Sequence, residues 1–342
     1  MGSSEPEGLV ELTFQSLSED RIGPKWAELF RRFWPSYRRW FLSEGIDRRP
    51  TYRAGLRKLR EHMPELVPAY ESACEAAGGS DLEARCLSLW CPPAYVTGCS
   101  QVVWRDDEPL LIRNYDYAPA MCEGILLNSA WNGRRVMAAT DCLWGALDGV
   151  NDAGLAASLT FGGRRVMGEG FGIPLIVRYV LEFCSDVPEA CAALERLPSH
   201  MAYNVTVLDR TGRFATAYLA PDRETVIRQI PVAANHQGRI DWHNFARATA
   251  TLERERFLYF RLQDSTMTTE RLVEHFLYPP LYTRAYANGF GTIYTAVYRP
   301  RSRAASFIWP GKCVDQSLHA FRDGTHHQRF DDSAAGTSMD AV

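Results

Sequence analysis

The 342-residue chain has no apolar run of about 18 residues or more, so no membrane-spanning helix is expected from it. Its net charge is only −3 and its pI about 6.3, which gives no reason to expect a nucleic-acid or membrane-surface partner for the protein as a whole. The opening MGSSEPEGLVEL lacks the basic-then-apolar pattern of a secretory signal. Pro6 stands where a myristoylation motif would want Ser or Thr. There is no GxGxxG after a strand pattern, no Walker loop, no HExxH and no internal repeat, so a nucleotide or metal cofactor is not expected. The eight histidines are scattered, and the pair at 326–327 lies in a polar stretch. CxxC is missing too. The nine cysteines are odd in number and irregularly spaced, so reduced thiols in a cytoplasmic protein are expected rather than a disulfide framework.

What is present suits a globular protein: 46% hydrophobic and 23% charged residues, in a length that allows one large domain or two ordinary ones. Residues 24–44 read as one or two amphipathic helices interrupted at Pro35, with an aromatic face and arginines outside. Residues 51–78 read as two more helices, and 79–95 is less regular. From Cys99 the pattern changes to strands. CSQVVW and PLLIRNYDY flank RDDE as a hairpin, and RRVMAATDC and GLAASLTF read as strands around a turn-rich GVNDAG. Two helices follow near 172–184 and 187–197, the second with Asp186 and Glu189 as a capping box. YNVTVLDRTGRFATAYLAP is a hairpin, and VIRQIPVAANH a strand. Helices are expected around 244–262 and 268–276, then a last hairpin, GTIYTAVYRPRSRAASFIWPG. Grouped strands and helices with antiparallel hairpins argue for a layered α+β fold, not a doubly wound α/β one.

One cysteine stands apart by its neighbours. Cys99 follows Gly98 at the start of a strand, and the hairpin returns Arg113 and Asp116 towards it. A cation beside a thiol favours the thiolate, and a carboxylate can orient an amine or hold the arginine. A buried strand cysteine beside a structural Arg–Asp pair fits the same residues, and this stretch by itself leaves both readings open.

Gly98-Cys99, RNYD, GVNDAGLAASLTF, YNVTVLDRTG and AANH occur in this order and at workable spacing. Together with the closing TIYTAVYRPRSRAASFIWPGKC they resemble the acyl-coenzyme A:6-aminopenicillanate acyltransferase family of cysteine N-terminal-nucleophile (Ntn) hydrolases. Acid ceramidase and the choloylglycine hydrolases are its more distant relatives. The resemblance runs from about residue 90 to about 322. It implies a four-layer αββα sandwich of mostly antiparallel sheets, preceded by a helical N-terminal segment. The implied division is 1–98 as pro-segment, 99–322 as catalytic core and 323–342 as a disordered tail.

The resemblance also implies a chemistry. Cys99 attacks the carbonyl of Gly98, an N→S acyl shift gives a thioester, and water frees Cys99 as a new N-terminus. Cys99 is then nucleophile and, through its α-amine, base. Asp116 would hold that amine and Arg113 would lie against the thiolate. Asn204 would donate to the oxyanion, with the backbone N–H near Thr160 as second donor. Ser100 stands where the acyltransferase has Thr. Tyr115 and Tyr117 are candidate substrate contacts. Asn235-His236 matches the family's Asn-His motif and is read as structural or pocket-lining rather than catalytic, with His236 a candidate substrate contact, and Asn151 reads as a turn residue with positive φ. The expected substrate is a small N-acyl compound, with no cofactor, acyl-coenzyme A as a candidate co-substrate, and the cleaved N-terminal fragment as partner. Two other readings stand beside this one: an uncleaved hydrolase or transferase using Cys99 and His236, and a non-catalytic descendant acting as an interaction module.

Overall fold

A computed structural model describes residues 10–330. The chain enters through strand β1 (Val10–Ser18) and continues through helices α1 (Pro24–Phe41), α2 (Tyr52–His62), α3 (Val67–Ala76) and α4 (Asp81–Leu87). Strands β2 (Gly98–Arg105), β3 (Pro109–Tyr117), β4 (Ile125–Ser129), β5 (Val136–Asp141), β6 (Gly145–Asn151) and β7 (Leu155–Phe161) follow, then helices α5 (Ile173–Phe183) and α6 (Val187–Arg196). Next come β8 (Tyr203–Asp209), β9 (Phe214–Leu219), β10 (Val226–Arg228) and β11 (Val232–Ala233), and helices α7 (His243–Ala248), α8 (Thr251–Gln263) and α9 (Thr269–His275). The last strands are β12 (Arg284–Ala285), β13 (Phe290–Arg299), β14 (Ala304–Trp309), β15 (Lys312–Ser317) and β16 (Gly324–Phe330).

The strands make two sheets. The larger runs β10-β9-β8-β7-β6-β5-β4-β1-β16, and the smaller runs β11-β2-β3-β13-β14-β15 with β12 on β13. Every pairing is antiparallel except β1 with β4. The sheets stack face to face, and Gln101 ties them by donating from Nε2 to Thr206 Oγ1 at 2.6 Å. Helices α5 and α6 cover the outer face of the larger sheet. On the outer face of the smaller sheet, Val102, Ile112 and Val232 pack against Leu258 of α8 and Leu272 of α9. The layers are therefore α, β, β, α, as the resemblance implies.

The N-terminal segment is helical as expected, although α4 forms in the stretch 79–95 that read as less regular, and four further details of the chain depart from expectation. The segment begins with a strand, not a helix: β1 is inserted between β16 and β4 of the larger sheet, so the segment shares a sheet with the core. Helix α1 runs unbroken through Pro35, which is solvent-exposed, so the backbone acceptor it leaves unbonded can be hydrated. Its rings stack at i,i+4 spacing, Trp26 on Phe30 at 5.5 Å and Phe30 on Trp34 at 5.3 Å. The stretch expected to be a disordered tail contains β16, an edge strand paired with β1 along seven residues; residues 331–342 lie outside the described residues. Asn151 ends β6 with ordinary φ and caps helix α5, donating Nδ2 to the Leu181 and Cys184 carbonyls at 2.9 and 2.7 Å.

Candidate active site

Strand alternation decides what faces Cys99. Along β2, Cys99 and Val103 point between the sheets, whereas Val102 points to the α8–α9 layer. Along β3, Leu111, Tyr115 and Tyr117 lie in the inter-sheet core and Leu110 and Ile112 in the outer one. Arg113 and Asp116 differ by three residues, so they leave the strand on opposite faces. Arg113 joins Cys99 between the sheets and donates from Nη2 to Sγ at 3.3 Å. Asp116 stands opposite Gly98 in the ladder, on the helix side. One residue addresses the thiol, and the other stands across the ladder from the residue before it.

Each is held by a buried partner. Arg113 forms an ion pair through Nη1 with Asp148, which also accepts from Tyr294 at 3.0 Å and from Tyr298. Burial works against the guanidinium charge, but the Cys99 sulfur and then Asp148 more than offset this and raise Arg113 above its ordinary pKa. Asp116 accepts from Arg254 of α8 at 2.9 Å and from Thr292 Oγ1 at 2.7 Å. Burial still wins and pushes its carboxyl up to about 6, against the lowering by Arg254 and Thr292.

The residue that joins these groups is Asn235, which the sequence reading left as structural or pocket-lining. Its Oδ1 accepts the Cys99 N–H at 3.0 Å and Arg254 Nη2 at 2.7 Å. Its Nδ2 donates to the carbonyls of Thr97 at 3.3 Å and Phe161 at 3.2 Å. Arg254 also donates to Ser100 Oγ at 2.9 Å, so a single guanidinium spans Ser100, Asp116 and Asn235. The motif AANH was visible in the sequence, but its Asn and not its His reaches the cysteine. Nothing in the sequence marks Arg254, which arrives on a helix 138 residues from Asp116.

The other expected site residues are held by their own partners. The Asn204 amide donates to the Ala234 carbonyl at 2.9 Å, the His236 carbonyl at 3.0 Å and Thr160 Oγ1 at 3.0 Å. It grips the backbone on both sides of Asn235. Thr160 lies opposite Asn204 in the ladder, and its hydroxyl donates to the Ala234 carbonyl at 2.8 Å. The His236 ring faces α8, with Nδ1 3.1 Å from Thr251 Oγ1 and Nε2 3.2 Å from Glu255. Tyr115 is the cross-strand neighbour of Cys99, with the Arg113 guanidinium over its ring, and Tyr117 stacks on Tyr115 at 5.4 Å.

Gly98 has no left-handed backbone, and its need for glycine is one of space. A Cβ there would come within 2.7 Å of the Phe290 ring. Cys99 itself is fully buried, with Thr97 Oγ1 3.4 Å from its sulfur. Among the described residues no group of three or more His, Cys, Asp or Glu side chains could hold a metal ion, and no helix is long and apolar enough to cross a membrane.

A search of curated proteins finds no match. Among solved structures, the chain is similar to a mutant conjugated bile acid hydrolase from Clostridium perfringens at 12% identity, over 67% of this chain and 96% of that one, with a TM-score of 0.46. It is also similar to penicillin V acylase from Agrobacterium tumefaciens (17% identity, 65% and 86% covered, TM-score 0.43). A third is the Caenorhabditis elegans ortholog of N-acylethanolamine-hydrolyzing acid amidase (17% identity, 67% and 99% covered, TM-score 0.43). Residues 103–313, more than half of the chain, match the family model of acyl-coenzyme A:6-aminopenicillanic acid acyl-transferase, a match that begins just after Cys99. The chain belongs to the acyl-coenzyme A:6-aminopenicillanic acid acyl-transferase family.

Proposed function

We propose that this enzyme, an amidohydrolase or N-acyltransferase by its family, cleaves itself between Gly98 and Cys99 and then acts on the C–N amide bond of a small N-acyl substrate. The observation that carries the reading is the clamp on Cys99: Arg113 on its sulfur at 3.3 Å and Asn235 on its backbone N–H at 3.0 Å.

In maturation the Cys99 sulfur attacks the Gly98 carbonyl carbon. The C–N bond breaks, its nitrogen takes the thiol proton and becomes the α-amine of Cys99, and Gly98 is left as a thioester. Water then hydrolyses the thioester to a Gly98 carboxylate and a free thiol. In turnover the α-amine accepts the thiol proton as the sulfur attacks the substrate carbonyl, and passes it to the departing amine. The acyl group is left on Cys99 as a thioester, and water or an acceptor amine removes it. Arg113 compensates the sulfur's negative charge. Asn235 Oδ1, which now accepts the Cys99 N–H, would accept from the freed amine, with Asp116 held alongside by Arg254. Asn235 Nδ2 makes two long bonds, one to the Thr97 carbonyl in the segment that cleavage releases. Once released it can donate to the oxyanion, the role that the resemblance implied for Asn204. The Cys99–His236 alternative is disfavoured because both ring nitrogens of His236 are turned to α8.

Trapping the acyl-enzyme tests this. Incubation with an activated acyl ester should add one acyl mass to the peptide that begins at Cys99, labile to hydroxylamine. An acyl group found on another residue, or none on a cleaved enzyme, would overturn it.

A further inference from the structure

A cleft of about 600 Å³ opens between α1 and the end of β3. Phe33, Tyr37 and Trp40 of α1 form one wall, and Tyr95 and Tyr117 another. Strand β3 links the cleft wall to the nucleophile: it presents Arg113, Tyr115 and Tyr117 on one face, Arg113 on the Cys99 sulfur and Tyr117 on the cleft wall. Tyr117 is two residues beyond the cross-strand neighbour of Cys99, about 7 Å along the strand.

The floor is a pair of buried carboxyl groups, Glu123 and Asp141. The Tyr37 hydroxyl bridges them, the Tyr95 and Tyr115 hydroxyls donate to Asp141 at 2.8 and 3.1 Å, and Thr140 donates to Glu123 at 2.9 Å. All of these donors are neutral. The other fully buried ion pairs couple Asp116 to Arg254, Asp148 to Arg113 and Glu182 to Arg178. Among the described residues Glu123 and Asp141 form no ion pair, although buried carboxylates ordinarily carry a cation. Burial, and then the Asp141 charge, raises the Glu123 carboxyl above its usual range. The arginines that line the cleft, Arg32 and Arg39, are exposed, Arg32 over the Phe33 ring and Arg39 bonded to Ser36.

We propose that the missing cation is the substrate's: the cleft holds a protonated amine over Glu123 and Asp141, between the tyrosine and tryptophan faces. The substrate class is then an N-acyl compound that also carries an ammonium group. This rests on the acyl-transfer reading above. A cation between aromatic faces is attracted to their π systems, and in a desolvated site the acid pair adds to that attraction. Helix α1 belongs to the segment removed by cleavage from Cys99, so the N-terminal fragment would stay as one wall of the substrate site.

Binding is tested first on the uncleaved Cys99→Ala chain, by NMR or calorimetric titration with n-butylammonium and, as its neutral counterpart, n-butanol. The ammonium should bind at least tenfold more tightly, Glu123→Gln should remove most of that preference, and Trp40→Leu, a change at a half-exposed position, should weaken ammonium binding several-fold. Equal or weaker binding of the ammonium overturns the proposal, as does a preference untouched in both variants. Turnover is then compared for two amides of equal length, one ending in ammonium and one in methyl. A cleaved enzyme that prefers the methyl compound refutes the amine site and leaves the acyl-transfer reading standing. A chain that neither cleaves nor turns over an amide refutes that reading, while the butylammonium titration still decides the amine site.

Discussion

Arg254 is the residue whose loss should be felt most widely, because its guanidinium holds Ser100, Asp116 and Asn235 at 2.9, 2.9 and 2.7 Å. Replacing it by Met keeps the volume and removes the charge. Asp116 would then retain only Thr292 and would face burial uncompensated. Removing one partner of a buried ion pair typically costs about 3–5 kcal/mol. The cost should be smaller below pH 6, where Asp116 takes up a proton and no longer needs the cation. Asp116→Asn alone strands the arginine, although Ser100 and Asn235 still hold it, so a loss of about 2 kcal/mol is expected. In the double variant neither charge is left unpaired, and its loss should fall short of the sum of the singles by at least about 1.5 kcal/mol. Urea unfolding in a Cys99→Ala background measures all four proteins as single chains. Additivity within about 0.5 kcal/mol would show that the two groups do not act as a pair and would refute the reasoning.

Gly98→Ala should slow self-cleavage strongly while leaving the fold intact, because a methyl group at 2.7 Å from the Phe290 ring must displace it or the backbone; Gly98→Ala with Phe290→Ala should recover the rate, as followed by mass spectrometry. Asn235→Ala in the cleaved enzyme should lower kcat by about 10²–10³ if its amide serves the oxyanion, whereas Asn204→Ala should act mainly on stability. The Glu182 carboxyl is pushed up to about 7 by burial, so the folded state holds a proton that the unfolded state has released above about pH 4.5. Its contribution to stability therefore falls as pH rises from about 4.5 to 7, by something on the order of 3 kcal/mol. Glu182→Gln should flatten that part of the stability curve, and an unchanged slope would contradict the assignment.

The parts of this architecture that announce themselves in the sequence are those with local causes. The β2–β3 hairpin shows because apolar runs flank RDDE, and the Asp186 cap of α6 shows because the carboxylate accepts Glu189 N–H three residues on. Strand β6 is hidden: it is buried on both faces and its GALDGVN is rich in turn-forming residues, so it lacks an alternating signal. Strand β16, GTHHQRF, is a mostly exposed edge strand whose polar composition reads as a tail. Cys99, Arg113 and Asp116 were legible as a group because one hairpin carries all three. Asn235 and Arg254 were not, because they reach Cys99 and Asp116 across 136 and 138 residues, by tertiary packing that no local pattern encodes.

The central claim is the cleavage of the Gly98–Cys99 bond, and denatured mass measurement of the purified protein tests it directly. In proportion to 98 and 244 of 342 residues, the 38.6 kDa chain should give fragments of about 11 and 27.5 kDa. They should co-elute before denaturation, because β1 lies between β4 and β16. The Cys99→Ala variant should remain a single chain. A wild-type chain that stays whole under conditions where it turns over an amide would contradict the account, since Cys99 would then work without a free α-amine.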